Sequence, residues 1–270
     1  MRALLTQRAA AVTTIARGES ELSLENGKER YSFSKLSSYY TCPYGWWLRY
    51  GEHKSGIGNA FSSYGTFVHS LMERYANGEI EIWELPVLYE WEFDTAIPEK
   101  FPWNKYVVLR DSYYTQGLEF LKSFQGYDKY HILGVEQAFD KYIDDDDWIF
   151  TGIIDLIFED ENGDLIIRDY KSKAKFANDT EKKEYSRQLY LYSMYVKEKY
   201  GVFPKSLQFL MFRKQMLVTI PFNVDDYDEA VQWAKNTVRV IRDSFEFPPK
   251  CDLFFANNLC NHREYCKFKL

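Results

Sequence analysis

The chain has few cysteines, four in 270 residues, and only four histidines, so thiol or imidazole chemistry can involve only a handful of positions. No apolar run approaches the ~18 residues that a bilayer-spanning helix requires. No continuous apolar segment near the start marks a secretory signal, which argues against export. A G-x4-G-K-[ST] phosphate loop is missing, so the sequence offers no P-loop helicase motif. Basic residues are not in excess: 34 Lys and Arg stand against 40 Asp and Glu, a net charge of −6. That balance argues against a protein that coats nucleic acid wholesale, but not against an acidic site beside a local basic groove. Internal repeats and low-complexity tracts are also absent.

What is present is ordinary globular composition with many aromatics: 46% hydrophobic, 27% charged, and 18% aromatic with 22 Tyr and 20 Phe. The length suits one large domain or two small ones. Residues 1–30 read as a flexible leader or upstream extension. Their first 18 carry Arg2, Arg8 and Arg17 and no acid, which keeps mitochondrial targeting as an alternative to the cytoplasm. Folded sequence is expected from Tyr31. A helix is predicted over 34–50, capped by Ser34, with Leu36, Tyr39 and Tyr40 on its apolar face. A second is predicted over 62–76, where Val68, Leu71, Met72 and Tyr75 recur at helical spacing. Residues 77–105, rich in Trp, Pro and Glu, read as irregular, and 107–124 as helix again.

Three consecutive strands follow at 132–143, 148–159 and 164–171, separated by the acidic turn Asp144–Asp147 and by Glu161-Asn162-Gly163. A helix at 181–200, strands at 205–213 and 216–222, a helix at 225–244 and a tail at 245–270 complete the chain. This order predicts an α/β (α+β) domain over 31–270. Residues 31–126 form a mainly helical part, 127–244 the α/β core, and 245–270 a tail bearing three cysteines.

The strand pair 152–171 carries Asp155, Asp169 and Lys171 between buried-strand residues such as Ile153, Ile154, Leu156, Ile166 and Ile167. Unpaired carboxylates in such strands are costly. Side chains alternate along a strand, so Asp169 and Lys171 share a face. A two-residue turn at Asn162-Gly163 would set Asp155 opposite Tyr170. A three-residue turn, Glu161-Asn162-Gly163, pairs Asp160 with Asp164 and sets Asp155 opposite Asp169, with Gly163 in the left-handed position. Two facing carboxylates repel unless a hard divalent cation lies between them.

The spacing Asp155…Asp169-x-Lys171 resembles the PD-(D/E)XK nuclease superfamily. Further segments resemble its RecB-like branch, shared with CRISPR-adaptation nucleases. They are YSFSKLSSYYTCP at 31–43, GTFVHSLME at 65–73, GVEQAFD at 134–140 and QLYLYSMYV at 188–196. The resemblance implies a restriction-endonuclease-like core, a mixed central sheet flanked by helices. It implies a Mg2+ or Mn2+ site made by His69, Asp155, Asp169, the Tyr170 carbonyl and, in addition, Glu136. Asp155, Asp169, Lys171, Gln188 and Tyr192 would be catalytic, with Lys171 orienting the attacking water and Gln188 and Tyr192 positioning Lys171 or the phosphate.

It also implies a 4Fe–4S cluster on Cys42, Cys251, Cys260 and Cys266, since soft thiolates select iron–sulfur or zinc. The pattern departs at Asn257, where the family places a cysteine, so Cys251 has to substitute. A zinc site on Cys251, Cys260, His262 and Cys266 is the rival. The aromatic run Tyr39, Tyr40, Tyr44, Trp46, Trp47 and Tyr50 is expected to pack around the cysteine site. Lys173, Lys175 and Arg187 are the expected contacts to backbone phosphate.

The resulting expectation is an intracellular, DNA-associated deoxyribonuclease acting as an exonuclease on single strands or duplex ends. Recombination or repair, phage DNA processing and CRISPR adaptation are the settings, with a helicase or a recombination or integration protein as possible partner. Two other classes stay open: a nuclease-fold subunit that binds DNA ends or a partner without activity, and a structure-specific endonuclease.

Overall fold

Pro43 divides the first helical stretch. The computed structural model describes residues 28–143 and 147–268, and the helix expected over 34–50 is two helices, α1 (Phe33–Thr41) and α2 (Pro43–Tyr50). Proline cannot extend α1, because it has no N–H to donate and it drives the preceding residue out of helical conformation. Cys42 is accordingly extended (φ −158°, ψ 102°), ending α1 and capping α2, with its sulfur accepting from Gly45 N at 3.4 Å. The N-cap of α1 is Ser32, not Ser34: the Ser32 hydroxyl accepts from Lys35 N at 3.1 Å.

The boundary expected at Tyr31 also moves. Arg30–Ser32 form a short strand, β1, so Arg30 belongs to the fold. Residues 1–27, which hold the basic segment read as leader or targeting sequence, lie outside the described residues, as do Asp144–Asp146 of the acidic turn. Helix α3 (Ala60–Ala76) begins in a capping box on Asn59. Where irregular chain was expected there is a helix, α4 (Glu84–Ala96), that buries Leu85, Leu88, Tyr89 and Phe93. Pro86 is tolerated because it lies in the first turn, whose N–H groups have no partner inside the helix. Helix α5 (Leu109–Ser123) completes this group.

Strands β2 (His131–Ile143), β3 (Trp148–Glu159) and β4 (Leu165–Lys171) follow, then α6 (Asp179–Tyr200), β5 (Ser206–Met211), β6 (Met216–Pro221) and α7 (Val224–Arg242). They make one mixed six-stranded sheet in the order β1-β3-β4-β5-β6, with β2 on β3. Helices α1, α2, α6 and α7 cover one face through Leu36, Trp46, Leu189, Val196 and Val238. Helices α3, α4 and α5 cover the other through Val68, Leu71, Leu88 and Phe120. Both faces are thus closed, as parallel pairing in the middle of a sheet requires. No helix among the described residues is long and apolar enough to cross a membrane.

One feature of the topology prepares the site. A strand has two edges, and β2 occupies one edge of β3 along most of its length. The other edge is shared: β1 pairs in parallel with Ile149–Thr151, and β4 pairs antiparallel with Leu156–Glu159. Residues 152–155 lie between those two partners, in a fork where β3 and β4 part.

Candidate active site

The hairpin turn is the three-residue one. Asp160 N donates to Asp164 O at 3.1 Å, Gly163 N donates to Asp160 O at 2.9 Å, and Gly163 is left-handed at φ 77°. The ladder pairs Glu159 with Leu165 and Leu156 with Arg168, and one further step along this register sets Asp155 against Asp169. The strands diverge at that step, and side chains take over the open backbone of β4. Tyr170 N donates to Asp155 Oδ2 at 2.8 Å, and Tyr170 O accepts from His69 Nε2 on α3 at 2.8 Å. The Tyr170 carbonyl expected as a metal ligand is therefore engaged by His69.

His69 Nδ1 lies 3.4 Å from Asp155 Oδ2. Burial lowers the imidazole pKa below its ordinary value, with Asp169 and Glu136 opposing that shift. In the neutral ring that donates through Nε2, Nδ1 presents a lone pair to a carboxylate. Nδ1 and the Asp155 oxygen are placed so that one divalent ion could take both as ligands.

Glu136 lies across β3 in the same register, since Val135 pairs with Leu156 and Gln137 with Ile154. Its backbone is left-handed (φ 44°), a strained conformation for a residue with a side chain. Ligand atoms of His69, Glu136 and Asp155 lie within 4.8 Å of one another, the one such group of three or more His, Cys, Asp or Glu residues among those described. Asp155 and Asp169 are both buried. Asp169 Oδ2 accepts no directed hydrogen bond, though Lys171 Nζ stands 2.8 Å away. The donor set, oxygens plus one imidazole with an underused buried carboxylate oxygen, fits a hard divalent ion.

Lys171 is held from the opposite side of the sheet. Its Nζ donates to Gln188 Oε1 at 2.9 Å, and Gln188 Nε2 donates to the Tyr192 hydroxyl at 3.0 Å, both from α6. The four-residue spacing puts Gln188 and Tyr192 on one helix face. Burial raises the Tyr192 phenol pKa, so it stays neutral. The ammonium is thereby fixed beside Asp169 while remaining partly exposed.

Beneath the fork lies a buried network that sequence reasoning missed. The Tyr170 hydroxyl pairs with the Tyr127 hydroxyl. The Arg168 guanidinium, also buried, binds Gln208 Oε1 through two nitrogens at 3.0 and 2.7 Å and lies over the Phe158 ring at 4.8 Å. No local pattern distinguishes Tyr127 among 22 tyrosines. Its role follows only from the contact.

The expected phosphate contacts fare unevenly. Lys175 is exposed. Lys173 is paired with Glu181, and Arg187 is gripped by Glu229 at 2.7 and 3.2 Å while lying 5.1 Å over the Trp233 ring. Those two cations are committed within the protein.

The four cysteines gather where the two ends of the domain meet. Cys42 is buried among Tyr44 and Leu48, with Cys251 and Cys266 packed against it. Burial, and then the neighbouring Cys42, push the Cys251 thiol up to about 11. Burial raises the Cys260 thiol as well, with Cys42 and Cys266 adding to the shift. Of the early aromatic run only Tyr44 and Trp47 pack with the cysteines. Tyr39, Trp46 and Tyr50 join the main core instead, with Trp46 and Trp47 stacked on Phe247 at 5.8 and 4.7 Å, and Tyr40 is exposed. His262 is buried there, with no partner for Nδ1 among the described residues.

The family described as the PD-(D/E)XK nuclease superfamily matches residues 30–269. No curated protein matches the sequence. Among solved structures, a candidate exonuclease from Eubacterium rectale superposes with a TM-score of 0.55 at 13% identity, covering 94% of each chain. That likeness is one of fold. A second structure, SSO0001, reaches a TM-score of 0.40 at 14% identity over 89% of this chain and 87% of that one, too distant to carry an argument.

Proposed function

Because the chain belongs to the PD-(D/E)XK nuclease superfamily, we propose that it is a divalent-metal-dependent deoxyribonuclease that hydrolyses DNA from single-stranded or duplex ends. The observation that carries this reading is the fork. It brings His69, Glu136 and Asp155 together, with Asp169 beside a Lys171 that Gln188 holds. Mg2+ or Mn2+ held there would acidify a bound water and neutralise phosphoryl oxygens. Asp155 and Asp169 would supply carboxylate ligands, with Glu136 and His69 completing the set. The sheet register places the three carboxylates, and α3 brings His69 to them.

Lys171 orients the attacking water and places positive charge against the non-bridging oxygen. Gln188 and Tyr192 keep its ammonium from folding back along the strand. Hydrolysis forms one P–O bond to water and breaks the bond to the sugar oxygen, which leaves with a proton. Exposed Lys175 is the phosphate contact that remains from the expected set.

The convergence of Cys42, Cys251, Cys260 and Cys266 supports a soft-metal group in the terminal lobe, with Cys251 standing in for the ligand absent at Asn257. Four thiols suit an iron–sulfur cluster, and a zinc site using Cys251, Cys260, His262 and Cys266 is the rival. Anaerobic preparation with iron and zinc analysis reads this directly, and a protein free of both metals overturns it.

The activity is tested with linear, covalently closed and end-blocked DNAs in Mg2+ or Mn2+, with Lys171→Ala alongside. Degradation of open ends by the parent and its loss in the variant is the expected result. Parent-like cleavage by Lys171→Ala refutes the assignment, and cutting of closed circles marks an endonuclease instead.

A further inference from the structure

Between α4 and α5 the chain crosses residues 97–108 without regular structure, as an arm whose Trp103 and Tyr106 are 84% and 79% exposed. Val107 and Val108 are exposed beside them. Single exposed apolar side chains are commonplace, but a contiguous group marks a surface that meets something. The arm borders a cleft of about 620 Å³ lined by Phe93, Ile97, Phe101 and Trp103.

The two rings are presented, not loose. Asn104 Oδ1 accepts from Tyr106 N at 2.8 Å and from Val107 N at 3.3 Å, closing a turn between them. The base of the arm is clamped by Phe101, whose ring meets Phe61 at 5.4 Å and Tyr113 at 5.1 Å.

Phe61 connects the arm to the fork. It lies on α3 four residues before Gly65 and eight before His69, a stripe along one side of the helix that spans about 12 Å. A Cβ at Gly65 would stand 3.6 Å from the hydroxyl of Ser172, the residue after Lys171. The base of the arm and the fork thus meet the same helix, at Phe61 and His69.

The exposed charges within the arm are cationic. Arg110 is engaged by Asp94 and Asp111, and Glu99 turns inward towards Gly58 with Oε2 buried. Asp94 and Asp111 stay exposed beside Arg110, while Lys100 and Lys105 are the exposed cations of the arm itself, with Lys105 Nζ 4.6 Å above the Tyr106 ring.

We propose that residues 98–108 form a stacking platform for unpaired bases of a single DNA strand, whose scissile phosphate lies in the fork. The proposal rests on the nuclease reading for its direction and adds the substrate class. Aromatic side chains stack on the faces of unpaired bases regardless of sequence. In a duplex those faces are already occupied by neighbouring base pairs, so the platform discriminates in favour of single strands.

The test is binding of labelled short oligo(dT), and of a blunt duplex of equal length, to the full chain in EDTA. Parent, Trp103→Ala/Tyr106→Ala and Trp103→Phe/Tyr106→Phe are compared, with circular dichroism melts confirming the fold. Stacking lost at about 1–3 kcal/mol per base predicts at least a fivefold rise in the oligo(dT) Kd for the alanine pair. Duplex affinity should change less than twofold, and the phenylalanine pair should recover single-strand binding.

A smaller rise for oligo(dT), an equal loss on the duplex, or no single-strand binding by the parent overturns the platform. The same result holds if the arm docks a protein, since oligo(dT) affinity would not respond. Binding is read without metal, so its failure leaves the cleavage assignment standing. Absence of cleavage by a parent that binds normally removes the nuclease reading alone.

Discussion

Replacing Asp155 with Asn should abolish stabilisation of the fold by Mg2+ or Mn2+ while leaving the metal-free protein close to parental stability. Asp155 Oδ2 accepts from Tyr170 N at 2.8 Å and faces His69 Nδ1 at 3.4 Å. The amide oxygen of Asn keeps the first contact, so the loss is that of a charged acceptor becoming neutral, about 1 kcal/mol. Relief of repulsion from Glu136 and Asp169 offsets part of it. The metal contribution is larger. An ion at a hundred times its Kd that binds only the folded chain adds about 2.7 kcal/mol. At roughly 2–4 °C per kcal/mol for a chain of this size, the parent should melt about 5–11 °C higher in saturating metal. Thermal unfolding followed by circular dichroism across a metal titration measures both chains. A variant that gains as much as the parent, or a parent that gains nothing, refutes the fork as a metal site.

Three other perturbations probe the surroundings. Tyr127→Phe strands the buried Tyr170 hydroxyl, at a cost of about 1–3 kcal/mol. If Tyr127 positions the Tyr170 backbone, the metal concentration for half-maximal cleavage should rise several-fold, whereas an unchanged midpoint would place it in packing alone. Gly117→Ala puts a Cβ 2.3 Å from the Tyr89 hydroxyl and 2.6 Å from that of Tyr64, so urea denaturation should show a loss of about 1–3 kcal/mol.

Lys35 is buried, and desolvation lowers its pKa to about 8. The unfolded chain, with an ordinary lysine, holds that proton more tightly. Its penalty is therefore full below pH 8 and fades as pH rises through the unfolded value near 10.4. Lys35→Met should gain stability over the parent at pH 7, an advantage of order 3 kcal/mol before loss of the Lys35 bond to Arg30 O. Paired denaturation curves should show that advantage shrinking between pH 8 and 10, and a constant difference would contradict the assignment.

The three-strand run was legible because strand alternation and turn chemistry are local. Gly163 alone decides the hairpin register, and the register decides which carboxylates meet. Asp155, Asp169 and Lys171 stood out as polar residues in strands that have to be buried. Helix α4 was obscured because Pro86 and the crowd of Trp and Glu hide the stripe Leu85, Leu88, Tyr89 and Phe93. Strand β1 has three residues and a partner over a hundred positions away, so no window of sequence contains its reason to exist. Lys173 and Arg187 show the complementary limit: charge is visible in a sequence, but its neutralising neighbour is not. The left-handed turn of Glu136 and the phenol of Tyr127 gave no signal, because each depends on what the tertiary fold brings against it.

The meeting of Cys42 with Cys251, Cys260 and Cys266 has a consequence for how the molecule is made. Tyr44 N binds Pro248 O, Ile57 N binds Asn261 O, and Trp47 stacks on Phe247. Helices α1 and α2 leave the ribosome well before these partners, which lie some 200 residues further along the chain. At about 5–20 residues per second, some 200 residues must be synthesised before the lobe can close, an interval of about 10–40 s. Throughout that interval the indoles and Cys42 are uncovered on the nascent chain. Capture by a chaperone and oxidation of Cys42 are hazards of synthesis that the finished protein no longer shows.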